Sequence, residues 1–300
     1  MERPTLRQLE YFVAVAEQLN FSKAAEACHV SQPALSAQIA QLESLLGLPL
    51  FERDRRGVQL TAAGEALVGP AQEVLDATDR VTQLAKSQGV PLTGPLRIGT
   101  IPTVGPYLLP RVLPQVHEAF PDLQIYLRED TTSRLLQQLD EGQLDLLLLA
   151  IDIDLGNVAT MPLFSDPFTL AVSDRDELTH AESATLDDLE GRDLLLLDEG
   201  HCLREQTLPL CEASGGDELR GFRASSLGTI AQMVAGGLGS TLLPELAVER
   251  EAAAAPRLVT LPFGADGPSR SVGLAWRKRC PRGDEFRRLG EVIARAYARS

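Results

Sequence analysis

The sequence predicts an α+β multidomain protein, with an N-terminal winged helix-turn-helix, a long linker helix and a C-terminal α/β domain of two subdomains. Three observations predict it. Two short helical stretches between Ser22 and Leu42 meet at a tight turn, a long helical pattern runs from Ala62 to about Gln88, and strand-like and helix-like runs alternate thereafter. Three hundred residues of 44% hydrophobic composition also exceed the usual size of one core, which calls for two or three domains.

Leu6, Leu9, Phe12, Val13 and Ala16 recur at helical spacing and predict the first helix. A second begins at Ser22, which can cap it, and runs through Ala24, Ala25 and Cys28. The third has Ser31 as its N-cap and Pro33 in its first turn, where the missing N–H costs little. Leu35, Ile39 and Leu42 form its buried stripe, which turns Ser36, Ala37 and Ala40 elsewhere. "FERDRRGVQLT" then reads as a strand, a basic tip at Arg53, Arg55 and Arg56, and a return strand: a wing. Gln32 opens the exposed start of the recognition helix, where a carboxamide can pair bidentately with the N6 and N7 edge of adenine. Arg53 and Arg56 can neutralise phosphates, and Thr61 can cap the next helix against one. A solvated surface is the competing reading for Gln32 and Ser36, and a solvated tip for the arginines.

In the long helical stretch Leu67, Ala71, Val74, Thr78, Val81 and Ala85 alternate spacings of four and three, the seam of a coiled coil. Pro70 lies inside it and should kink or restart the helix. "GVPLTG", residues 89–94, is the linker. Continuous apolar strands between helices then predict parallel sheets, in two units with a ligand-binding crevice between them. The expected domains are 1–62, a helix and hinge over 63–94, and 95–300. The last divides into subdomain I, about 95–165 and 268–300, and subdomain II, about 166–267.

The net charge of −14 argues against a protein that wraps polyanions, but residues 1–64 carry six basic against seven acidic side chains and leave room for a small reading head. No stretch approaches the roughly 18 apolar residues of a membrane span, and Met1 to Gln18 has acidic residues where a signal peptide wants an apolar run, so a cytoplasmic protein is expected. Four cysteines in a reducing compartment are no disulfide framework. Two of them stand in "GHCLREQTLPLC", at 202 and 211. Cys202 follows the strand-like "DLLLLDE" and Gly200 at the start of a helix, with Arg204 close by, a setting that favours thiolate. No Cys-x-x-Cys accompanies the pair and only His201 is near, so neither metal nor cofactor is expected. Two cysteines acting as small core hydrophobes are the plain alternative. Cys28 occupies an apolar slot, Cys280 a basic loop, and His29, His117 and His180 read as surface residues.

The stretch "FSKAAEACHVSQPALSAQIAQLESLLGLPLFERDRRGVQLTAAGEAL" resembles the DNA-binding region of LysR-type transcriptional regulators. The length and the α/β remainder resemble that family's effector domain, itself similar to periplasmic binding proteins. Within the family, "IPTVGPYLLPRVLP", "GHCLREQ" with Cys211, and "FRASSLGTIAQMVAGGLGSTLLP" resemble its hydrogen-peroxide-sensing members. The resemblance implies that Cys202 is oxidised first to a sulfenic acid and that Cys211 resolves it to a disulfide. It places Thr103, Thr132, His201, Arg204 and Arg270 around the peroxide, and assigns DNA contacts to Ser31, Gln32, Pro33, Ser36, Ala37, Arg53, Arg56 and Thr61. As partners it implies double-stranded DNA at pseudo-palindromic promoter sites, a homodimer and homotetramer, and RNA polymerase. Read without it, Thr103 is an N-cap and Thr132 a turn residue.

If residues 202–211 are helical throughout, nine steps of about 100° set the two thiols on opposite faces, roughly 13 Å apart along the axis. A disulfide needs Cα atoms within about 7 Å. Pro209 leaves the end of that helix open, and the glycines of "EASGGDEL" behind Cys211 can absorb a rearrangement. Two other functions fit parts of the chain: a regulator sensing a small organic ligand in the crevice, lined by Ser225, Ser226 and Thr229, and a thiol peroxidase, against which the winged helix-turn-helix argues.

Overall fold

The computed structural model describes residues 3–299 apart from 55–56, 87–90, 220 and 265–266; the side chains at 53, 54, 57, 76, 79, 80 and 83–86 also lie outside the described residues. The chain packs as two compact units, Met1–Gly89 and Val90–Ser300.

In the first unit α1 (Leu6–Gln18) starts in a capping box, in which Thr5 and Gln8 each bond the other's backbone N–H through their side chains. α2 (Phe21–Ala27) is capped by Asn20, whose side-chain oxygen accepts from the Ser22 and Lys23 N–H groups; the expected cap at Ser22 lies inside the helix. Ser31 takes the extended N-cap conformation at α3 (Gln32–Leu46) without making a side-chain cap bond, and Gly47 ends that helix at φ +73°. Leu35, Ile39 and Leu42, at most 1% exposed, pack with Phe12, Val15, Phe21 and Leu50 in one core. β1 (Phe51–Asp54) pairs antiparallel with β2 (Gly57–Leu60) as the wing, and the Phe51 ring sits edge-on to Phe12 and Phe21, joining wing to core.

α4 (Ala62–Lys86) runs through Pro70 as one element, so the expected restart does not occur, and residues 87–88 of the predicted helix lie outside the described residues. It packs on α1. The predicted seam divides: Leu67 and Ala71 join the unit's own core, while Val74 and Val81 face outward. The side chain of Ala85 lies outside the described residues.

The second unit opens as β3 (Gly94–Thr100), α5 (Gly105–Ala119), β4 (Leu123–Glu129), α6 (Thr132–Asp140) and β5 (Leu146–Ala150), with β3 parallel to both β4 and β5. β6 (Val158–Ser173) is long. Its first part pairs antiparallel with β11 (Ser269–Arg277), its last part with β9 (Thr241–Pro244) and β10 (Leu258–Pro262), and β11 also pairs antiparallel with β5. The order is β10-β6-β11-β5-β3-β4, with β9 also on β6. The sheet is therefore mixed where parallel strands were expected, because an apolar run records burial on both faces and not strand direction.

The other strands and α-helices are β7 (Asp193–Leu194), α7 (Cys202–Ala213), β8 (Asp217–Glu218), α8 (Leu227–Ala235), α9 (Glu245–Ala254) and α10 (Gly283–Tyr297), with β7 parallel to β8, and two short 3-10 turns span Glu177–His180 and Leu186–Leu189. The predicted strand "DLLLLDE" forms only β7 and single bridges from Leu194 and Leu197, and "GFRAS" only the bridge at Ala224. α7 continues through Pro209, so Cys202 and Cys211 lie on one helix. Cys202 is buried in the larger core, with Leu197, Leu203 and Leu227, and Cys211 in a smaller one, with Leu170, Leu194 and Leu242.

Leu35→Ala should lower the stability of the first unit by about 2–5 kcal/mol, the range for a buried leucine that leaves a cavity. Chemical denaturation of the full chain should show an early transition; an unchanged first transition would contradict the core assignment.

Candidate functional site

The outer face of α3 carries Ser31, Gln32, Pro33 and Ala37 exposed and Ser36 half-buried. Gln32 Nε2 donates to Ser36 Oγ at 3.1 Å, so the two polar side chains hold each other in place on that face. Thr61 caps α4 by accepting from Gly64 N at 3.0 Å, while its hydroxyl donates to the Pro49 carbonyl at 2.7 Å. The side chain of Arg53 and all of Arg56 lie outside the described residues.

The second unit gathers the rest of the predicted site at three helix starts. Thr103 lies in the turn between β3 and α5, Thr132 is the first residue of α6, and Cys202 is the first residue of α7 with His201 as its N-cap. Gly200 turns the chain into α7 at φ +88°, a conformation that suits glycine. Thr103, Thr132, His201, Cys202 and Arg270 are all buried. Arg270 donates from Nε to Asp166 Oδ2 at 2.9 Å, from Nη1 to Thr103 Oγ1 at 2.9 Å and from Nη2 to the Thr103 carbonyl at 2.8 Å. Asp166 Oδ1 accepts from Leu246 N at 2.9 Å, at the start of α9. Burial pushes the Asp166 carboxyl up, and the Arg270 guanidinium pulls it back.

Burial is also the largest influence on Cys202 and raises its thiol; the Arg270 charge, the Thr132 hydroxyl and the backbone at Leu203 oppose it, while Glu205 adds to it. This corrects the expectation that the setting favours thiolate. The sequence shows the helix start but not the depth at which it sits. Arg204 is a second correction. It forms a two-pronged ion pair with Glu218, at 2.8 and 2.9 Å, tying the first turn of α7 to β8, and the cation that acts on the Cys202 thiol is Arg270.

Two contributors escaped the sequence reading. Gln206, four residues after Cys202 and so on the same helical face, has both amide atoms buried without a hydrogen-bond partner among the described residues, whereas the buried Thr132 hydroxyl bonds the Cys202 thiol. Buried polar atoms are normally paired, so the Gln206 amide keeps hydrogen-bonding capacity that the described side chains do not use. Asp166 is the other, and no local pattern marks it, because its partner stands 104 positions away.

Both cysteines are free thiols, and helical geometry holds them on opposite faces of α7, roughly 13 Å apart along the axis. Burial pushes Cys211 up from 9.0 to about 11. Ser225, Ser226 and Thr229 are exposed, and Ser226 caps α8 by accepting from Thr229 N. Among the described residues no three His, Cys, Asp or Glu side chains are grouped to hold a metal ion, and no helix is long and apolar enough to cross a membrane.

Residues 6–65 match the family described as bacterial regulatory helix-turn-helix protein, lysR family, and residues 90–298 match the LysR substrate binding domain. The DNA-binding transcriptional dual regulator OxyR of Escherichia coli K12 is 45% identical over 288 residues, 96% of this chain and 94% of that protein. Among solved structures, a cysteine-to-serine variant of Corynebacterium glutamicum OxyR with H2O2 bound is 39% identical, with a TM-score of 0.68, covering 100% of this chain and 96% of that one. The oxidised form of the same organism's OxyR is 36% identical, with a TM-score of 0.61, covering 99% and 93%.

Because the fold raises the Cys211 pKa, the folded reduced protein should resist alkylation at Cys211 near pH 8 and react only as pH rises toward about 11. In denaturant the midpoint should return toward 9.0. The neutral thiol favours the fold fully below the unfolded value, and that stability is lost between the two values, by roughly 3 kcal/mol at full ionisation. Mass-mapped alkylation against pH checks this, and a folded-state midpoint near the unfolded one would contradict it.

Proposed function

The chain belongs to the LysR family of bacterial regulators, and from that premise we propose that it is a DNA-binding transcriptional regulator that senses hydrogen peroxide through Cys202. One observation carries the reading: a buried thiol at a helix start, acted on by the Thr132 hydroxyl and by the Arg270 guanidinium, which Asp166 and Thr103 hold in place. A molecule of two oxygens that both donates and accepts hydrogen bonds suits these groups. The similarity to OxyR proteins, one solved with H2O2 bound, supports the same chemistry.

The Cys202 sulfur attacks one peroxide oxygen, the O–O bond breaks, and the departing hydroxide takes the thiol proton to leave as water. Cys202 is then a sulfenic acid. Thr103, Thr132, His201 and Gln206 position the peroxide, while Arg270 and the start of α7 stabilise the thiolate and the leaving oxygen. Burial keeps the resting thiol neutral, so reaction at Cys202 depends on these local donors. Arg204 holds α7 on β8, and Arg270 is the cation at the peroxide.

The Cys211 thiol next attacks the sulfenic sulfur, forming the disulfide and releasing water. From roughly 13 Å along a helix axis, the thiols can meet only if α7 unwinds. That frees Arg204 from Glu218 and withdraws each cysteine from its core, changing the surface that the effector domain offers to a second copy. The chain reacts once per signal, as a regulator and not an enzyme. The proposed organisation is the one expected, 1–62, 63–94 and 95–300, with subdomains I and II meeting along the paired strands β6 and β11. It acts in the cytoplasm as a homodimer joined through the outward valines of α4 and as a homotetramer through effector domains, on pseudo-palindromic DNA read by Ser31, Gln32, Pro33, Ser36 and Ala37, with Arg53, Arg56 and Thr61 at the backbone and RNA polymerase as partner.

Gln32→Ala should cost about 1–3 kcal/mol of sequence discrimination, while Arg56→Ala should weaken binding to all sequences and flatten its salt dependence. Binding curves on specific and scrambled DNA at several salt concentrations decide it; equal losses on both DNAs for Gln32→Ala remove the readout role.

Cys202→Ser should abolish the change in DNA footprint with peroxide, and Cys211→Ser should permit oxidation at Cys202 without an intramolecular disulfide. Hydrogen exchange across 200–220 should rise on oxidation of the wild type. Unchanged protection there, with a disulfide confirmed by mass, would refute the unwinding.

A further inference from the structure

Asp166 and Arg270 face each other as register partners on β6 and β11, and both side chains are 0% exposed. The carboxylate is shared. One oxygen takes the Arg270 Nε and the other takes Leu246 N, so Asp166 pins the guanidinium against the N-terminus of α9. The far side of the guanidinium holds Thr103 by hydroxyl and carbonyl together. An arginine fork fixed on both sides cannot swing, and its orientation is inherited from the carboxylate.

We infer that Asp166 is a positioning residue for the peroxide reaction: it fixes Arg270 and Thr103 beside Cys202 and offsets part of the guanidinium charge that reaches the sulfur. The inference rests on the reading that Cys202 reacts with peroxide. The charged or donor groups acting on the thiol are Arg270, the Thr132 hydroxyl, Glu205 and the Leu203 N–H; those around Asp166 are Arg270, Leu246 N, Glu245 and the Tyr297 phenol. Arg270 is common to both sets. Asp166 therefore acts on the thiol through Arg270, and it works in two directions: removing the carboxylate loosens the fork, which slows peroxide attack, and unmasks the cation, which favours thiolate.

The test measures the second-order rate of Cys202 oxidation by hydrogen peroxide against pH, in the full chain with Cys211→Ser so that only the first step is read. Asp166→Asn should lower the plateau rate at least tenfold and move the midpoint of the profile down by about one unit. In an Arg270→Gln background Asp166→Asn should change neither, since the group it acts through is gone. A wild-type profile for Asp166→Asn overturns the inference, and so do effects that persist undiminished with Arg270→Gln, the outcome a merely destabilised site would give. If Asp166→Asn does not fold, Asp166→Ser, which leaves room for a water between Leu246 N and Arg270, takes its place with the same expected outcomes. A wild-type Cys202 inert to peroxide would instead overturn the sensing reading, and the alkylation profile of the same variants would still report on Asp166 and Arg270.

Discussion

A single helix of 12 residues carries two thiols on opposite faces, and each thiol is a buried part of a different core. The rest of the effector unit is arranged around that constraint. Gly200 brings the chain into the helix at a positive φ, and the Arg204–Glu218 pair fastens the first turn to β8. At the other end the Gly216 N–H donates to the Cys211 carbonyl, and Gly216 lies so close to Leu194 that a Cβ there would be 2.7 Å from its side chain. Both ends are therefore held, and the two sulfurs stay apart for as long as they are.

The same burial sets the chemistry. A thiol withdrawn from water resists ionisation, which protects it from indiscriminate oxidation, and only groups already inside can reverse that. Arg270 opposes it from β11 without overcoming it, at the cost of a buried charge that Asp166, its register partner on β6, answers. Removing either partner alone would leave an uncompensated charge in the interior, a far larger penalty than the pair itself incurs. The site's electrostatics and one register pair of the β6–β11 ladder therefore rest on the same two side chains.

The parts that were legible in the sequence are those with short-range patterns. The stripe Leu35, Ile39 and Leu42, the wing, the apolar runs of β3, β5 and β11, and the helix start at Cys202 all follow from spacing and caps. Strand direction was not legible, because Leu146–Ala150 and Ser269–Arg277 look alike as buried runs whichever way they point. Nor was the Asn20 cap distinguished from Ser22, since both residues cap well and only backbone geometry chooses. Within the site, the cysteines and Arg270 came from the motif and its resemblance, whereas Asp166 and Gln206 needed the fold: one is defined by a partner 104 positions away, the other by unpaired amide atoms. The direction of the Cys202 shift was missed for the same reason, because burial depth is a tertiary property.

A helix held at both ends also explains why the proposed switch has two states and no useful intermediate. Fraying the last turn past Pro209, where the helix already lacks one backbone donor, leaves Cys202 fixed by Arg204 and the larger core and brings the sulfurs no closer than the anchored end allows. Releasing only the first turn leaves Cys211 in the smaller core under Leu194 and Leu242. A gap of roughly 13 Å must fall below about 7 Å between Cα atoms before the bond can form, so both anchors must yield together. Sulfenic acid at Cys202 supplies the bias, because it places a larger, polar group where a neutral thiol had packed against Leu197 and Leu227. In the proposed switch the covalent bond would keep what that strain opened, and the helix would re-form only when a reductant cuts it.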